Sequence, residues 1–331
     1  MNNLTHFDKI EYAIGGIEST SVPVAFWKHF PIDDQKPETL AKATYEFQKQ
    51  FDFDFVKISP PSSFCLKGWG IIDEWRGHPE GVREYTHYPF SNPDYILDIL
   101  PLDPTSDSLG NQLTCCRMLR KIIDSSTPLL QTVFSPLSQL KNLVGKEKIT
   151  GFIRRYPDLV MHALRVITQT TLEWIHELYT TKVDGIFYAA QLADYSSLTT
   201  DEYQMYGRPF DLQILNACHD FQLILLHIHG SDVMFDEFID YPVAIFNWDQ
   251  SIAGVDLKAA GERTRAVLCG GLKRMDEMLL GDANVIKNAF SKAIEQTNGS
   301  RFILGADCVL MQATPIGNIF TAIQMARNQT V

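Results

Sequence analysis

Short runs of apolar residues recur along the chain, and stretches with a helical spacing of apolar positions lie between them. Eight of the runs have the length and the β-branched or aromatic content of strands. They are residues 22–27, 53–59, 129–135, 183–190, 221–229, 243–248, 266–271 and 302–309. Because most of them are apolar at consecutive positions, we expect a parallel sheet that is covered on both faces.

Amphipathic helices are predicted between most of these strands, and the longest covers residues 157–180, with Pro157 in its first turn. Others are expected at residues 37–51, 256–265, 283–297 and 315–327. Eight strand–helix units in about 300 residues favour a single (β/α)8 TIM barrel, which we assign to residues 1–331 as one domain. Residues 60–128, between the second and third strands, are predicted to form an elaborated loop that caps the active-site end.

The main structural alternative is an open, doubly wound sheet. Dinucleotide-binding sheets of that type carry a G-x-G-x-x-G turn after an early strand, and this sequence has none. A P-loop and a G-x-S-x-G turn are absent from the sequence as well. The pattern therefore favours the barrel.

Composition and charge narrow the class of partner. The 331 residues are 45% hydrophobic and carry a formal net charge of -11, which argues against nucleic acid or an anionic membrane surface. Residues 1–10 contain no apolar signal segment, and no run reaches membrane-spanning length. The six cysteines lack the spacing of a disulfide framework, so reduced thiols are expected. Together, these features predict a cytoplasmic protein that acts on a small-molecule substrate.

The strongest candidate site is His227-Ile228-His229-Gly230, at the end of the fifth predicted strand. Side chains two residues apart on a strand face the same way, so both imidazoles should point to one side. Cys308 lies at the end of the eighth predicted strand. Two nitrogens and a thiolate form a possible metal-ligand set, although a buried histidine or a free cysteine is also common in a core.

Barrel enzymes form their active sites at the C-terminal ends of the strands. The polar residues at the other strand ends are therefore candidate substrate-binding groups. We assign this role to Lys28, Lys57, Ser135, Tyr188, Gln191, Asn247 and Asp249, and note that His29, Ser59 and Lys273 lie at strand ends too. Asp249 could instead cap a helix or a turn.

Several segments together resemble the uroporphyrinogen decarboxylase superfamily over nearly the whole chain. They are Val22-Pro23-Val24, Thr132-Val133-Phe134-Ser135-Pro136, His227-Ile228-His229-Gly230, Gly305-Ala306-Asp307-Cys308 and Thr314-Pro315-Ile316-Gly317-Asn318-Ile319. The resemblance implies a single (β/α)8 barrel. It also implies one of two activities, since the superfamily contains haem-pathway decarboxylases and zinc-dependent methyltransferases that act on corrinoids and thiols.

The decarboxylase branch carries R-Q-A-G-R-Y after its first strand, where arginines hold substrate carboxylates. The matching positions here run from Lys28 to Asp33, with Lys28 and Ile32 in place of the arginines. Much of the carboxylate clamp is therefore missing. This departure predicts little activity on uroporphyrinogen.

The methyltransferase branch supplies zinc ligands as H-x-C on the fifth strand and a Cys before T-P-x-x-N-I. By this resemblance His227, His229 and Cys308 are the implied catalytic metal ligands, with His229 where the family pattern has Cys. Three protein ligands leave a fourth position for a substrate thiol or water. The leading hypothesis is zinc-dependent methyl transfer from a corrinoid or other donor to a thiol-type acceptor.

Decarboxylation of a porphyrinogen or a smaller carboxylated substrate is the alternative, with Lys28, Ser135 and Tyr188 as binding groups. A non-enzymatic corrinoid or tetrapyrrole carrier is a third hypothesis, although the sequence lacks the D-x-H-x-x-G corrinoid signature. A corrinoid protein is a possible partner. Resemblance to the decarboxylases also suggests a homodimer.

Overall fold

A computed structural model describes residues 4–17, 19 and 21–328. The expectations for residues 1–10 and for one domain over 1–331 thus extend partly beyond the described residues. Nine strands are found in them: β1 (Val56–Ile58), β2 (Ile72–Glu74), β3 (Glu84–His87), β4 (Leu129–Phe134), β5 (Gly185–Ala190), β6 (Leu223–Ile228), β7 (Ile245–Trp248), β8 (Val267–Leu272) and β9 (Phe302–Ala306).

Eleven α-helices accompany these strands in the described part of the chain. They are α1 (His6–Gly15), α2 (Pro37–Phe51), α3 (Asp107–Ile122), α4 (Pro136–Val144), α5 (Ile149–Arg155), α6 (Pro157–Tyr179), α7 (Thr200–Tyr206), α8 (Arg208–Ala217), α9 (Leu257–Gly261), α10 (Ala283–Thr297) and α11 (Ile316–Arg327). A π-helical turn follows β8 at Arg274–Leu279. Short 3-10 turns lie at Asp33–Gln35, Lys67–Trp69, Pro89–Ser91, Pro93–Ile96 and Phe235–Phe238.

Seven strands form one parallel sheet in the order β1-β4-β5-β6-β7-β8-β9. Its strands are buried almost throughout, because helices cover the outside and side chains fill the inside. In the register of the sheet Ala189 lies opposite His227, His227 opposite Asn247, and Asn247 opposite Cys269. The sheet is curled, and its architecture is consistent with a TIM-like barrel.

The first predicted strand, residues 22–27, is not a regular strand but a single parallel bridge between Val24 and Leu304. On one side, the Leu304 N–H donates to the Pro23 carbonyl at 2.8 Å. On the other, the Asp54 N–H donates to the Val24 carbonyl at 2.9 Å. Pro23 has no N–H, and the Val24 N–H donates to the Asp54 carboxylate at 2.8 Å, so regular pairing with a neighbouring backbone stops here. The segment nevertheless touches both edges of the curled sheet.

The other seven predicted strands coincide with strands of the sheet, and the predicted helix 283–297 has the bounds of α10. Local signals explain this helix. The Asp282 carboxylate accepts from the N–H groups of Asn284 and Val285, and Asn298 ends the helix with a left-handed φ of 52°. Pro157 begins α6, as a proline at the first helical position can.

Residues 60–128 contain a small antiparallel hairpin, β2–β3, followed by α3. The loop of the hairpin, residues 75–83, lies between these two strands. An ion pair of 3.0 Å between Glu80 in this loop and Arg274 joins it to the π-helical turn after β8. The loop is thereby tied to the end of the sheet where the parallel strands finish. None of the helices within 4–17 and 21–328 has the length and apolar character required to cross a bilayer.

Candidate metal centre

The side chains of His227, His229 and Cys308 converge beyond the C-terminal ends of β6 and β9. The Cys308 Sγ lies 3.6 Å from the His227 Nε2 and 4.0 Å from the His229 Nδ1. One ligand atom from each residue lies within 4.8 Å of the others. His227 and Cys308 are buried, whereas His229 is exposed. The sequence named these three residues, and the structure brings them together.

His227 is in the form that can bind a metal. Burial lowers the pKa of His227 to about 4, although its hydrogen bond with Asn247 acts in the opposite direction. The imidazole is therefore neutral at physiological pH, as a metal ligand must be. The His227 Nδ1 and the Asn247 Oδ1 are 2.6 Å apart.

A cavity of about 250 Å³ opens onto the three residues. Trp27 and Phe187 supply apolar walls, and Lys57 and Gln191 supply polar ones. The loop of the β2–β3 hairpin contributes residues 80–83 to the lining. The cavity is thus enclosed partly by the sheet and partly by the segment between β1 and β4.

Lys57 is the buried cationic group of this cavity. Burial lowers its pKa to about 7, and the nearby Cys308 thiol partly offsets that effect. The ammonium donates to the Ser59 hydroxyl at 3.0 Å and lies 4.6 Å from the centroid of the Phe187 ring. Its ordinary partners are thus a neutral hydroxyl and a ring face, which leaves its charge available to a ligand.

Other charged groups of the lining are already paired. Arg83 lies 3.0 Å from the Asp73 carboxylate and 3.8 Å from that of Asp34. Glu80 is paired with Arg274. The sequence did not predict these residues to be part of the site, because they lie in segments without a regular spacing of apolar positions.

His29 also lines the cavity, and the sequence reading noted it only as a strand-end residue. Burial, together with the charges of Lys57 and His78, lowers its pKa to about 3. Its imidazole is therefore neutral at physiological pH. The alternation of side chains along the extended segment at 27–29 could have identified it, since Trp27 lines the cavity as well.

Lys28, Ser135, Tyr188 and Asp249 do not line this cavity in the described part of the chain. Both neighbours of Lys28 line the cavity, whereas the Lys28 ammonium lies 5.8 Å from the centroid of the Phe30 ring. The Tyr188 hydroxyl donates to the Asp211 carboxylate of α8 at 2.6 Å, on the outer face of the sheet.

Ser135 and Asp249 have local structural partners instead. The Ser135 hydroxyl caps α4 by accepting from the Ser138 N–H at 3.1 Å. The Asp249 carboxylate accepts from the Ser251 N–H at 3.0 Å within a turn, which is the alternative that the sequence left open. Ile32, in place of an arginine of the decarboxylase pattern, is exposed.

Comparison with known proteins identifies the family. The model of the uroporphyrinogen decarboxylase (URO-D) family matches residues 28–329, and the chain belongs to this family. No curated protein sequence matches the chain.

Solved structures share the fold at low sequence identity. A methyltransferase from Methanosarcina mazei is 16% identical, with a TM-score of 0.84 and 98% of each chain covered. A B12-independent methionine synthase from Shewanella sp. W3-18-1 is 10% identical, with a TM-score of 0.56 and coverage of 92% of this chain and 93% of that chain. A putative B12-independent methionine synthase from Listeria monocytogenes is 12% identical, with a TM-score of 0.54 and coverage of 93% of this chain and 98% of that chain.

Proposed function

We propose that this protein is a zinc-dependent methyltransferase that moves a methyl group from a corrinoid or another donor to a small thiol-type acceptor. The observation that carries the proposal is the convergence of His227, His229 and Cys308, whose ligand atoms lie within 4.8 Å of one another. Such a His2Cys set leaves room for one more ligand, which a catalytic zinc site requires.

The spacing of the donor atoms fits a zinc ion. Zinc–nitrogen and zinc–sulfur contacts at tetrahedral angles imply a nitrogen–sulfur separation of about 3.6 Å. The corresponding separations here are 3.6 Å for His227 and 4.0 Å for His229. The exposed His229 ring can close the remaining difference by a small rotation, while the buried pair is already at ligand spacing.

The chain's own residues have separate roles in the proposed reaction. His227, His229 and Cys308 would hold the metal. Zinc, when bound, would lower the pKa of an acceptor thiol and so supply a thiolate at neutral pH. Lys57 would bind an acidic group of the acceptor, because its ammonium has no carboxylate among the groups that shift its pKa. Trp27 and Phe187 would exclude water from the acceptor.

The cavity of about 250 Å³ favours a small acceptor over a tetrapyrrole, since pockets for drug-sized ligands span about 300–1,000 Å³. We further propose that residues 22–27, the first predicted strand, close a (β/α)8 barrel between β9 and β1. In this arrangement residues 60–128 would act as the cap over the active site, with the hairpin loop at 75–83 above the metal ligands. A single domain over residues 1–331 and a homodimer belong to the same proposal.

The names of the three structural neighbours support methyl transfer, because the first is a methyltransferase and the other two are B12-independent methionine synthases, one of them putative. The second name is also the reason to keep a donor other than a corrinoid protein open. Decarboxylation is less well supported. Lys28, Ser135 and Tyr188, its candidate binding groups, are not among the lining residues of the cavity.

The deciding experiment combines elemental analysis with anaerobic assays of the purified protein. We expect about one zinc ion per chain. We also expect methylcobalamin and mercaptopropionate to yield the methylated thiol, and uroporphyrinogen to remain carboxylated. A folded protein that neither contains zinc nor binds it when zinc is added would overturn the metal site. Conversion of uroporphyrinogen at a rate typical of haem-pathway enzymes would favour the decarboxylase.

A further inference from the structure

Asn247 lies on β7 beneath the candidate metal ligands, and all of its amide atoms have partners. The Nδ2 donates to the carbonyls of Cys269 and Ala306, each at 2.9 Å. The Oδ1 lies 2.6 Å from the His227 Nδ1. The side chain is fully buried, so no water competes for these contacts.

The two carbonyl partners determine which way the amide is turned. A carbonyl oxygen only accepts, so both must face the NH2 group of Asn247. A flipped amide would oppose its oxygen to the oxygens of Cys269 and Ala306 and would lose both hydrogen bonds. The Oδ1 is therefore the atom that faces His227.

The direction of the amide in turn decides the tautomer of His227. The Asn247 Oδ1 can only accept, so the proton must lie on the His227 Nδ1. In a neutral imidazole the Nε2 then carries the free lone pair. The Nε2 is also the nitrogen that lies 3.6 Å from the Cys308 Sγ.

The same amide also reaches the strand that leads to Cys308. Ala306 is the last residue of β9, two positions before Cys308, and Cys269 lies on β8 between β7 and β9. Asn247 thus connects β6, which carries His227, to β8 and β9. One buried side chain holds the histidine ring and the backbone next to the cysteine in a single network.

We propose that Asn247 is a positioning residue that locks His227 as the Nδ1–H tautomer and sets its spacing to Cys308 before any metal binds. The consequence for metal affinity rests on the proposed zinc site. The tautomer itself is a property of the metal-free protein. Partners of this kind, which orient a ligand without touching the metal, typically contribute 10–100-fold in affinity.

The chain provides a matched control for this residue. The Asn318 Nδ2 also donates to two backbone carbonyls, those of Met278 at 3.0 Å and Gly281 at 2.8 Å. No histidine contacts the Asn318 amide among the described residues. Asn318→Leu therefore removes a double backbone contact of the same kind without affecting the histidine.

The test uses Asn247→Leu, which removes all three contacts, and Asn247→Asp, which keeps an acceptor for the His227 Nδ1 but loses the two donors. Histidine tautomers are read by ¹⁵N NMR on the metal-free protein, and zinc affinity by competition with a chelator. Wild type should show only the Nδ1–H form of His227. Asn247→Leu should populate the Nε2–H form and bind zinc about 10–100-fold more weakly.

Asn247→Asp should retain the Nδ1–H form and still lose zinc affinity, because the strands that carry the two ligands are no longer joined by the amide. Asn318→Leu should leave the tautomer and the affinity as in wild type. The proposal is overturned if wild-type His227 is the Nε2–H form, a measurement that needs no variant to fold. It is also overturned if Asn247→Leu is folded and changes zinc affinity less than twofold. A wild-type protein that binds no zinc would defeat the proposed function, while the NMR result would still decide the tautomer.

Discussion

Two buried charged residues, three positions apart in sequence, show how the two ends of the sheet differ. Asp54 lies just before β1, at the N-terminal end of the parallel strands, and Lys57 lies within β1, toward the end that holds the candidate metal centre. Both are almost inaccessible to solvent. The carboxylate is surrounded by partners from this chain, whereas the ammonium has no carboxylate among the groups that shift its pKa, where only the Cys308 thiol acts against burial.

The partners of Asp54 join separate parts of the fold. Its carboxylate accepts from the Lys9 ammonium of α1 and from the Val24 N–H, each at 2.8 Å, and lies 2.8 Å from the His6 Nδ1. Burial raises the pKa of Asp54, but the hydrogen bonds with His6, Lys9 and Val24 and the charge of Lys9 together hold it below its usual value. The ionised carboxylate therefore stabilises the closure between α1, residues 22–27 and β1.

Lys57 illustrates the opposite arrangement. Its burial is costly because no carboxylate compensates the charge, and its lowered pKa reflects that cost. Outside a binding site, every buried charge can be stabilised by other groups of the same chain. A binding site, in contrast, needs groups that only a ligand stabilises. The difference between the two residues thus separates a group that stabilises the fold from one that we propose binds a substrate.

The largest effect should come from Cys308→Ser at the metal centre. Zinc sites bind with apparent free energies of about 10–16 kcal/mol from about four ligands, so the loss of one should weaken zinc binding by about 100- to 1,000-fold. Thermal unfolding should remain cooperative. Zinc content and unfolding are measured on the same variant.

Cys218→Ser is the matched control, because Cys218 is a buried thiol directly after α8 whose pKa is raised by burial. It should reduce stability through the buried hydroxyl and leave the zinc content unchanged. Equal zinc content in Cys308→Ser and wild type would show that Cys308 is not a metal ligand. The candidate metal centre would then no longer distinguish the two ends of the sheet.

The next largest effect should be structural, from Asp54→Asn. The substitution leaves the partly buried Lys9 ammonium beside a neutral amide, and breaking an ion pair whose carboxylate is buried should cost about 3 kcal/mol of the free energy of unfolding. Urea denaturation at neutral pH measures the change. Zinc affinity should remain that of wild type, because the substitution lies at the other end of the sheet.

Asp52→Asn tests the same neighbourhood at an exposed position. The Asp52 carboxylate pairs with His6 and with Arg327, and its side chain is 60% exposed. Solvent screens such pairs, so the free energy of unfolding should fall by less than about 1 kcal/mol. Equal losses for Asp54→Asn and Asp52→Asn would contradict the special role of the buried carboxylate.

Much of the fold was predictable because burial on both faces leaves a local signature. The apolar runs of β4 to β9 identified the sheet, and the helical spacing of apolar residues at 283–297 identified α10. The irregular segment at 22–27 was not predictable in the same way. Its pairing is interrupted by the Asp54 carboxylate, thirty residues away in sequence, and no local pattern records that contact.

The candidate site was also predictable only in part. Strand alternation and family resemblance together pointed to His227, His229 and Cys308, because their placement follows from strand ends. Position at a strand end does not by itself tell which face a side chain takes, so Tyr188 was assigned to the site although it contacts Asp211 outside the sheet. Asn247 was predicted to bind substrate, but it is not among the residues that line the cavity. Its network depends on three other strands, and no pattern around residue 247 records those contacts.

A smaller effect is expected from Lys57→Met, which tests whether the buried ammonium binds a ligand. If the ammonium binds an acidic group of the acceptor, KM for mercaptopropionate should rise about tenfold, while KM for mercaptoethanol should hardly change. The free energy of unfolding should stay the same or increase, since a buried charge that no carboxylate neutralises is removed. Steady-state kinetics and urea denaturation give both quantities.

Lys49→Met is the control, because Lys49 is exposed on α2 and lies 5.9 Å from the centroid of the Tyr45 ring. It should alter neither KM nor stability appreciably. A rise in KM of equal size for both thiols in Lys57→Met would show that the lysine shapes the cavity without recognising charge.

The smallest effect is the pH dependence of the Asp54 contribution. The folded pKa of Asp54 lies below its usual value near 3.8, so its stabilising effect is fully present above that value and is lost as the pH falls through the folded pKa. The difference in free energy of unfolding between wild type and Asp54→Asn should therefore narrow only below about pH 4, by about 1.4 kcal/mol for each unit by which the pKa is lowered. Urea titrations from neutral to acid pH measure this difference. If the difference in free energy narrowed between pH 7 and 5 instead, the carboxylate would already be protonated there. Asp54, like Lys57, would then lack partners that stabilise its charge.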